Sequence, residues 1–341
     1  MRVRCVQLHR WIPRLTIAFS IGSLGCAAVI SPLAGTVDRE PITPVPAVEA
    51  LDPAKVELGR TMFHDPRLSR GERVSCAACH DLGHGGDDGR ALAMAADGRP
   101  LDFNASTVFN VALNARLNWR GNFRTLEEQN EAVLLDPRLM GAAWPDLLAK
   151  LRAQPDYRAA FQALYGGAPE RGHVLDALAT FQRSLLTPDA RFDRHLRGER
   201  EAITAEEARG YQLFKAYGCV ACHQGVNIGG NLFQKFGVFH DPFAQRGGLS
   251  AADLGRYGVT GREEDRNVFR VPSLRNVAVT APYFHDGSAA SLTRAVEIMA
   301  RSQLGRELPS GDIDLIVQFL RTLTGRYQGQ SLTPRPEGES R

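Results

Sequence analysis

Cysteine is scarce in this chain and unevenly spent: six occur in 341 residues, and two of them, Cys5 and Cys26, stand near the start. The remaining four form two Cys-x-x-Cys pairs, and each pair is followed directly by histidine, a placement that a disulfide framework gives no reason for. An excess of one charge is also lacking. The formal balance is +3 and the lysines and arginines are scattered rather than clustered, so the chain has no electrostatic footprint for DNA or RNA. Sustained apolar–polar alternation is missing as well, while "GHVLDALATFQRSLL" and "DIDLIVQFLRTL" carry apolar residues at helical spacing. The class is therefore mainly α.

What is present begins with length, which is generous for one domain and sufficient for two separate cores. Arg2, Arg4, Arg10 and Arg14 precede the apolar run "LTIAFSIGSLGCAAVI" and the small residues "SPLAG". Residues 1–30 thus read as a signal peptide, which places the mature chain outside the cytoplasm. An uncleaved membrane anchor and lipidation of Cys26 stay open as alternatives, although Ser23 stands where a lipoprotein signal normally carries an aliphatic residue. Residues 31–50, with three prolines in "VDREPITPVPAVEA", read as an extended linker with nothing to pack.

Beyond residue 50 the chain repeats itself. "DPAKVELGRTMFHD" precedes the first Cys pair and "TAEEARGYQLFKAYG" the second. Asp52 is placed to cap the first helix, with Pro53 in its first turn, and Thr204 with Glu207 has the spacing of a capping box. Gly59 and Phe63 in one recur as Gly210 and Phe214 in the other. Downstream, Phe181, Arg183 and Leu185 are echoed by Phe319, Arg321 and Leu323. Each unit reads as helix, motif, long insert, helix, which predicts domains over 51–198 and 199–327 and a disordered tail over 328–341. The inserts are rich in Gly, Pro, Asn and Asp, and loops of that length need an organiser of their own, such as a large cofactor.

The motifs are "CAACH" over Cys76, Cys79 and His80, and "CVACH" over Cys219, Cys222 and His223. Two cysteines three apart can form thioethers with the two vinyl groups of one haem, and the adjoining imidazole then faces the iron. Zinc does not suit pairs about 140 residues apart that each carry an attached His. A thioredoxin-like redox pair lacks its strand context and any reason for duplication. The reading is two covalently bound haem c groups, with His80 and His223 as proximal ligands, one in each of two cytochrome c-like domains with long irregular loops.

From about residue 51 to 326 the chain resembles the bacterial dihaem cytochrome c peroxidase family, which includes the MauG-type enzymes. The resemblance is carried by the paired motifs, "LNWRGNFRTLEEQ", "FRVPSLRNV" and "TAPYFHDGSAASLTRAVEIM". It implies a first haem that meets hydrogen peroxide, a second that receives electrons from a small c-type cytochrome or cupredoxin, and a calcium ion between the domains. Met299, fourteen residues after His285, takes the family's place for the second ligand of the His223 haem. Its i, i+3, i+4, i+7 stripe with Leu292, Ala295 and Val296 also suits plain core. The resemblance further makes Trp119 an electron relay between haems and Gln129 a holder of peroxide. For calcium it implies the Asn104 side chain and the carbonyls of Thr280 and Pro282. Relatives are commonly homodimers in the periplasm.

Two positions depart from that pattern. The removable distal His of many members, sixteen residues after the proximal one, is Ala96 here, with His84 and Met94 nearby. The distal Glu is Leu139. An acid–base group at that place is worth about a hundredfold or more in peroxide cleavage, and Gln129 does not exchange protons at neutral pH. Asp136 and Glu128 are the substitutes within reach, though both read better as solvated charges. The sequence thus favours a peroxidase whose first haem is open from the start. Two alternatives remain: a MauG-like oxidase of Trp or Tyr on a partner protein, and a dihaem electron carrier without peroxidase activity.

Overall fold

The computed structural model describes residues 40–47, 50–244 and 248–335, all within a compact unit that begins at Glu40. The segment expected to be a signal peptide, with Cys5 and Cys26, lies outside the described residues, as does the chain from 336 onward. Ten helices dominate: α1 (Pro53–His64), α2 (Leu126–Leu135), α3 (Trp144–Ala153), α4 (Pro155–Tyr165), α5 (Arg171–Ser184), α6 (Arg191–Leu196), α7 (Ala205–Ala216), α8 (Tyr257–Thr260), α9 (Leu292–Leu304) and α10 (Ser310–Arg321). Among the described residues strands are confined to two short antiparallel pairs, β1 (Phe233–Lys235) with β2 (Val268–Arg270) and β3 (Arg326–Tyr327) with β4 (Gln330–Ser331).

The helix starts follow from their caps. The Asp52 carboxylate accepts from the amides of Ala54 and Lys55 at 2.9 and 3.3 Å. Thr204 and Glu207 form the reciprocal capping box of α7, at 3.2 and 2.8 Å. The repeated glycine explains how the helices cross. A Cβ on Gly59 would lie 2.1 Å from the Ala177 carbonyl oxygen, and one on Gly210 would lie 2.0 Å from that of Leu315. Each crossing, α1 on α5 and α7 on α10, is thus closer than any side chain allows. The repeated phenylalanines fill the space alongside, with Phe63–Phe181 and Phe214–Phe319 ring centroids both 5.2 Å apart.

Two apolar cores result. The first gathers α1, α3, α4 and α5 around Phe63, Phe161 and Phe181, and the second gathers α6, α7 and α10 around Phe192, Phe214 and Phe319. Phe192 already belongs to the second core while Leu185 belongs to the first, so packing draws the seam earlier in the chain than residue 198.

Two segments differ from expectation. Residues 40–47 do run extended but are packed: Ile42 and Val45 are each 1% exposed, and Ile42 lies in the second core. Proline lacks an amide hydrogen, but this strap works through its carbonyls, Pro41 accepting from the Gly225 amide and Thr43 from Arg275, each at 2.8 Å. Residues 328–335 likewise pack, rather than forming a loose tail. Gln328 and Gly329 have φ of +50° and +80°, the twist of a two-residue hairpin turn, and the hairpin delivers Leu332 to the first core.

A second repeat becomes plain in three dimensions. Asn110 and Asn276 each sit at positive φ before a 3-10 turn, and each donates its amide to the end of a long-helix segment, Leu185 and Leu323. At the same spacing Leu117 bridges Phe123 as Tyr283 bridges Ala289, and Trp119 occupies in the first half the place that His285 occupies in the second.

Candidate functional site

Both motifs fold as 3-10 turns, Cys76–Ala78 and Cys219–Ala221, closed by bonds from the His80 and His223 amides to the Cys76 and Cys219 carbonyls at 3.0 and 2.9 Å. The turn sets two thiols and an imidazole within a single span of backbone. His80 donates Nδ1–H to the Gly86 carbonyl at 3.1 Å, and His223 does the same to Ile228 at 3.2 Å. A ring that donates through Nδ1 leaves Nε2 bare for a metal. Burial depresses the pKa of His80 and lowers that of His223 to about 4, against the small opposing effect of those carbonyls. Both rings are therefore neutral at neutral pH, as iron requires. Phe63 and Phe214 stand in matching positions beside them, at 6.5 and 6.4 Å.

The four thiols are free. Burial pushes Cys76 to about 12, and Cys79 and Cys219 each to about 11. They are protonated thiols in apolar surroundings, unlike the low-pKa thiolates of a redox pair. Among the described residues the His, Cys, Asp and Glu side chains close enough in threes to share a metal ion are Asp253, His285 and Asp286, and no cysteine is among them, so neither Cys pair is gathered into a zinc-type site. A cavity of about 420 Å³ opens beside the first motif, lined by Val74, Ala77, Cys79, Arg90 and Met94 among others. These features fit haem: paired neutral thiols, a bare imidazole nitrogen, an apolar wall and a guanidinium. The Oε1 atom of Gln129 is buried without a hydrogen-bond partner among the described residues, which leaves that oxygen to accept a bond from a polar guest.

The other expected residues fall as follows. Trp119 is 8% exposed and lies at the seam, where Nε1–H donates to the Asn104 carbonyl at 2.9 Å and the indole meets His285 edge-on at 6.4 Å. Its own carbonyl accepts from the Arg270 amide, as that of His285 accepts from Asn104. Met299 is half-buried on α9, while Leu292 and Val296 of its stripe pack against the second core. His84 is tied to Asp81 at 3.1 Å. The side-chain amide of Asn104 donates to the Arg90 carbonyl at 2.8 Å, and Thr280 precedes a cis Ala281–Pro282 bond.

Ala96 and Leu139, the two departures from the family pattern, are both aliphatic, and the Ala96 amide donates to the Arg138 carbonyl at 3.0 Å, which sets Ala96 against the residue preceding Leu139. The two candidate substitute acids already hold backbone partners. Glu128 closes the capping box of α2, accepting from the Arg124 and Thr125 amides at 2.9 and 3.3 Å, and those bonds hold its pKa below the usual range. Asp136 accepts from the Arg138 amide at 2.8 Å.

Sequence reasoning used His285 only as a spacing marker. It is 2% exposed, caged by Phe103, Phe236, Phe243 and Phe269, and bonded through Nε2 to Asp253 at 2.7 Å. The signal that finds it is the echo of "LNWRG" in "YFHDG".

Comparison with known proteins agrees with this geometry. The model of the di-haem cytochrome c peroxidase family matches residues 53–201. The chain is 43% identical over 290 residues to the cytochrome c peroxidase Ccp of Escherichia coli, covering 85% of this chain and 62% of that protein, so it spans less than two thirds of that relative. It is 39% identical over 311 residues to the cytochrome c551 peroxidase of Nitrosomonas europaea, covering 91% and 92% of the two chains. Among solved structures, a MauG-like protein associated with microbial copper homeostasis superposes with a TM-score of 0.72 at 29% identity, over 83% of this chain and 93% of that one.

Proposed function

This chain belongs to the di-haem cytochrome c peroxidase family, and from that premise we propose that it reduces hydrogen peroxide to water with electrons from a small redox protein. The observation that carries the reading is the pair of matched turns, each presenting a neutral histidine whose Nδ1 is already bonded to backbone. When bound, the haems supply iron redox chemistry, peroxide cleavage at one and electron storage at the other.

The chain's own residues do the rest. Cys76 and Cys79 would tether the first haem and Cys219 and Cys222 the second, with His80 and His223 each supplying an imidazole to the iron. Met299 would supply a thioether to the second haem, a donor that suits an electron-accepting centre. Gln129 orients peroxide with its free amide oxygen. Trp119, in the seam between the halves, shortens the electron path. Each peroxide takes two electrons and two protons to give two waters. With Leu139 at the place of the family's glutamate and Glu128 held in its capping box, the carboxylate nearest that position is Asp136, which accepts from the Arg138 amide. The donor is a small c-type cytochrome or a cupredoxin. Calcium is held by the Asn104 side chain and the carbonyls of Thr280 and Pro282. The mature protein works in the periplasm, as a homodimer.

The aliphatic pair of Ala96 and Leu139 favours a second reading, a MauG-like oxidant that draws electrons from a partner protein's Trp or Tyr through Trp119. Leu139 alone favours a third, a carrier without peroxide chemistry. Peroxide added to the reduced holoprotein with a supplied donor separates them. Rapid donor oxidation supports the peroxidase, a long-lived oxidised state that a partner protein discharges supports the second, and no reaction supports the carrier.

A further inference from the structure

The two proximal histidines are oriented by the same bond from loops of unequal ease. The carbonyl that takes His80 belongs to Gly86, at φ +76°, whereas the carbonyl that takes His223 belongs to Ile228, at φ +48°. Glycine adopts the left-handed region freely, but a β-branched side chain there is crowded against its own backbone. Such a conformer persists only where its surroundings over-determine it. Ile228 is wholly buried, and much of what holds it comes from the other half of the molecule.

The neighbouring Asn227, 1% exposed, donates its side-chain amide to Asn114 Oδ1 at 2.7 Å and to the Asn110 carbonyl at 3.2 Å. Ser273 donates its hydroxyl to the Asn227 carbonyl and Oδ1 at 2.8 and 2.9 Å. The Ala115 amide adds a bond to the Gly230 carbonyl at 2.9 Å. On the far side the loop lies flush on Pro272, whose carbonyl a Cβ at Gly229 would approach to 2.2 Å and which also faces the His223 ring. The loop that orients the second histidine is thus clamped by the turn around Asn110 and Asn114 in the first half.

The geometry points to Asn114 as a positioning residue: through Asn227 it pins the strained Ile228 carbonyl under Nδ1 of His223 and so sets how strongly that imidazole donates to the second haem iron. A ligating histidine that gives its other N–H to a firm acceptor is the more basic ligand and favours the ferric state. The clamp therefore keeps the potential of the second haem lower than a loose loop would. The inference rests on His223 being the proximal ligand, as proposed above.

The test is potentiometric titration of the holoprotein. N114A is expected to raise the midpoint potential of the second haem and leave that of the His80 haem in place. The double variant N114A/I228G is expected to return it to the parent value, because glycine holds the left-handed carbonyl unaided as Gly86 does. S273A removes the other grip on Asn227 and shifts the potential in the same direction, which keeps the test alive if N114A does not fold. A lowered melting temperature with the parental potential in N114A and S273A, or a shift that I228G fails to reverse, overturns the clamp. A second haem that keeps its parental potential in H223A overturns the ligand assignment itself, a failure distinct from the other two.

Discussion

Replacing Gly210 with alanine opposes two effects of known sign. Alanine is favoured over glycine inside a helix by about 1 kcal/mol, so if α7 and α10 met loosely, G210A would stabilise the protein. The structure demands the reverse. The added methyl would stand 2.0 Å from the Leu315 carbonyl oxygen and 3.0 Å from Phe319 Cβ, against an ordinary contact of 3.4 Å or more. The first obstacle is backbone, which has no rotamer to yield, so the helices must part by over an ångström. Overpacking of this kind costs about 1–3 kcal/mol. At the upper end, after the propensity gain, the net loss is about 2 kcal/mol. For about 300 folded residues, at about 2.1 cal/mol/K each, a loss of 1 kcal/mol lowers the melting temperature by roughly 1–2 °C. Gly311 in α10 has nothing within 4 Å of its Cβ position, so G311A is the matched control and stays level or rises. Thermal unfolding of the holoprotein followed by circular dichroism reads both. A G210A protein as stable as G311A would refute the claim that close approach is why glycine recurs there.

Three further outcomes are expected. Q129A lowers peroxide turnover tenfold or more while both haem absorption bands keep their positions, which steady-state donor oxidation and a visible spectrum check together. R275M removes one partner of a buried ion pair, Arg275–Asp193 at 2.6 Å with side chains 1% and 0% exposed, and costs about 3–5 kcal/mol because Asp193 is left buried and uncompensated; R275M/D193L recovers much of that in denaturant unfolding. Burial raises Asp87 to about 7, so its folded pKa lies above its unfolded one: folded protein holds the proton between about pH 4 and 7, and stability falls as pH rises through that window. D87N removes this slope, so its melting temperature gains on the parent's from pH 5 to pH 8, and parallel curves would count against the assignment.

What could be read in the sequence was short-range or repeated. Cys76, Cys79 and His80 lie within one turn of chain, so their chemistry is a matter of covalent spacing. Gly59 with Phe63 and Gly210 with Phe214 are local pairs on one helix face, and their recurrence exposed two like units before any contact was known. The three prolines of the strap, by contrast, signalled a linker truthfully as regards backbone but not as regards packing, because nothing near them in sequence names Gly225 or Arg275 as partners. The tail misled for the same reason, since Leu332 finds its core on helices far behind it.

By itself, then, the sequence determined that the Cys-x-x-Cys-His motif occurs twice, that each copy lies within one short turn of chain, and that helices frame both. The tertiary structure alone decided that Trp119 meets His285 at the seam, that the Ala96 amide meets the Arg138 carbonyl beside Leu139, and that Ile228 is gripped from the opposite half. The division has a physical cause: thioether and imidazole spacing is fixed by bonds along the chain, whereas hydrogen bonds between residues a hundred positions apart exist only once two cores have closed on each other.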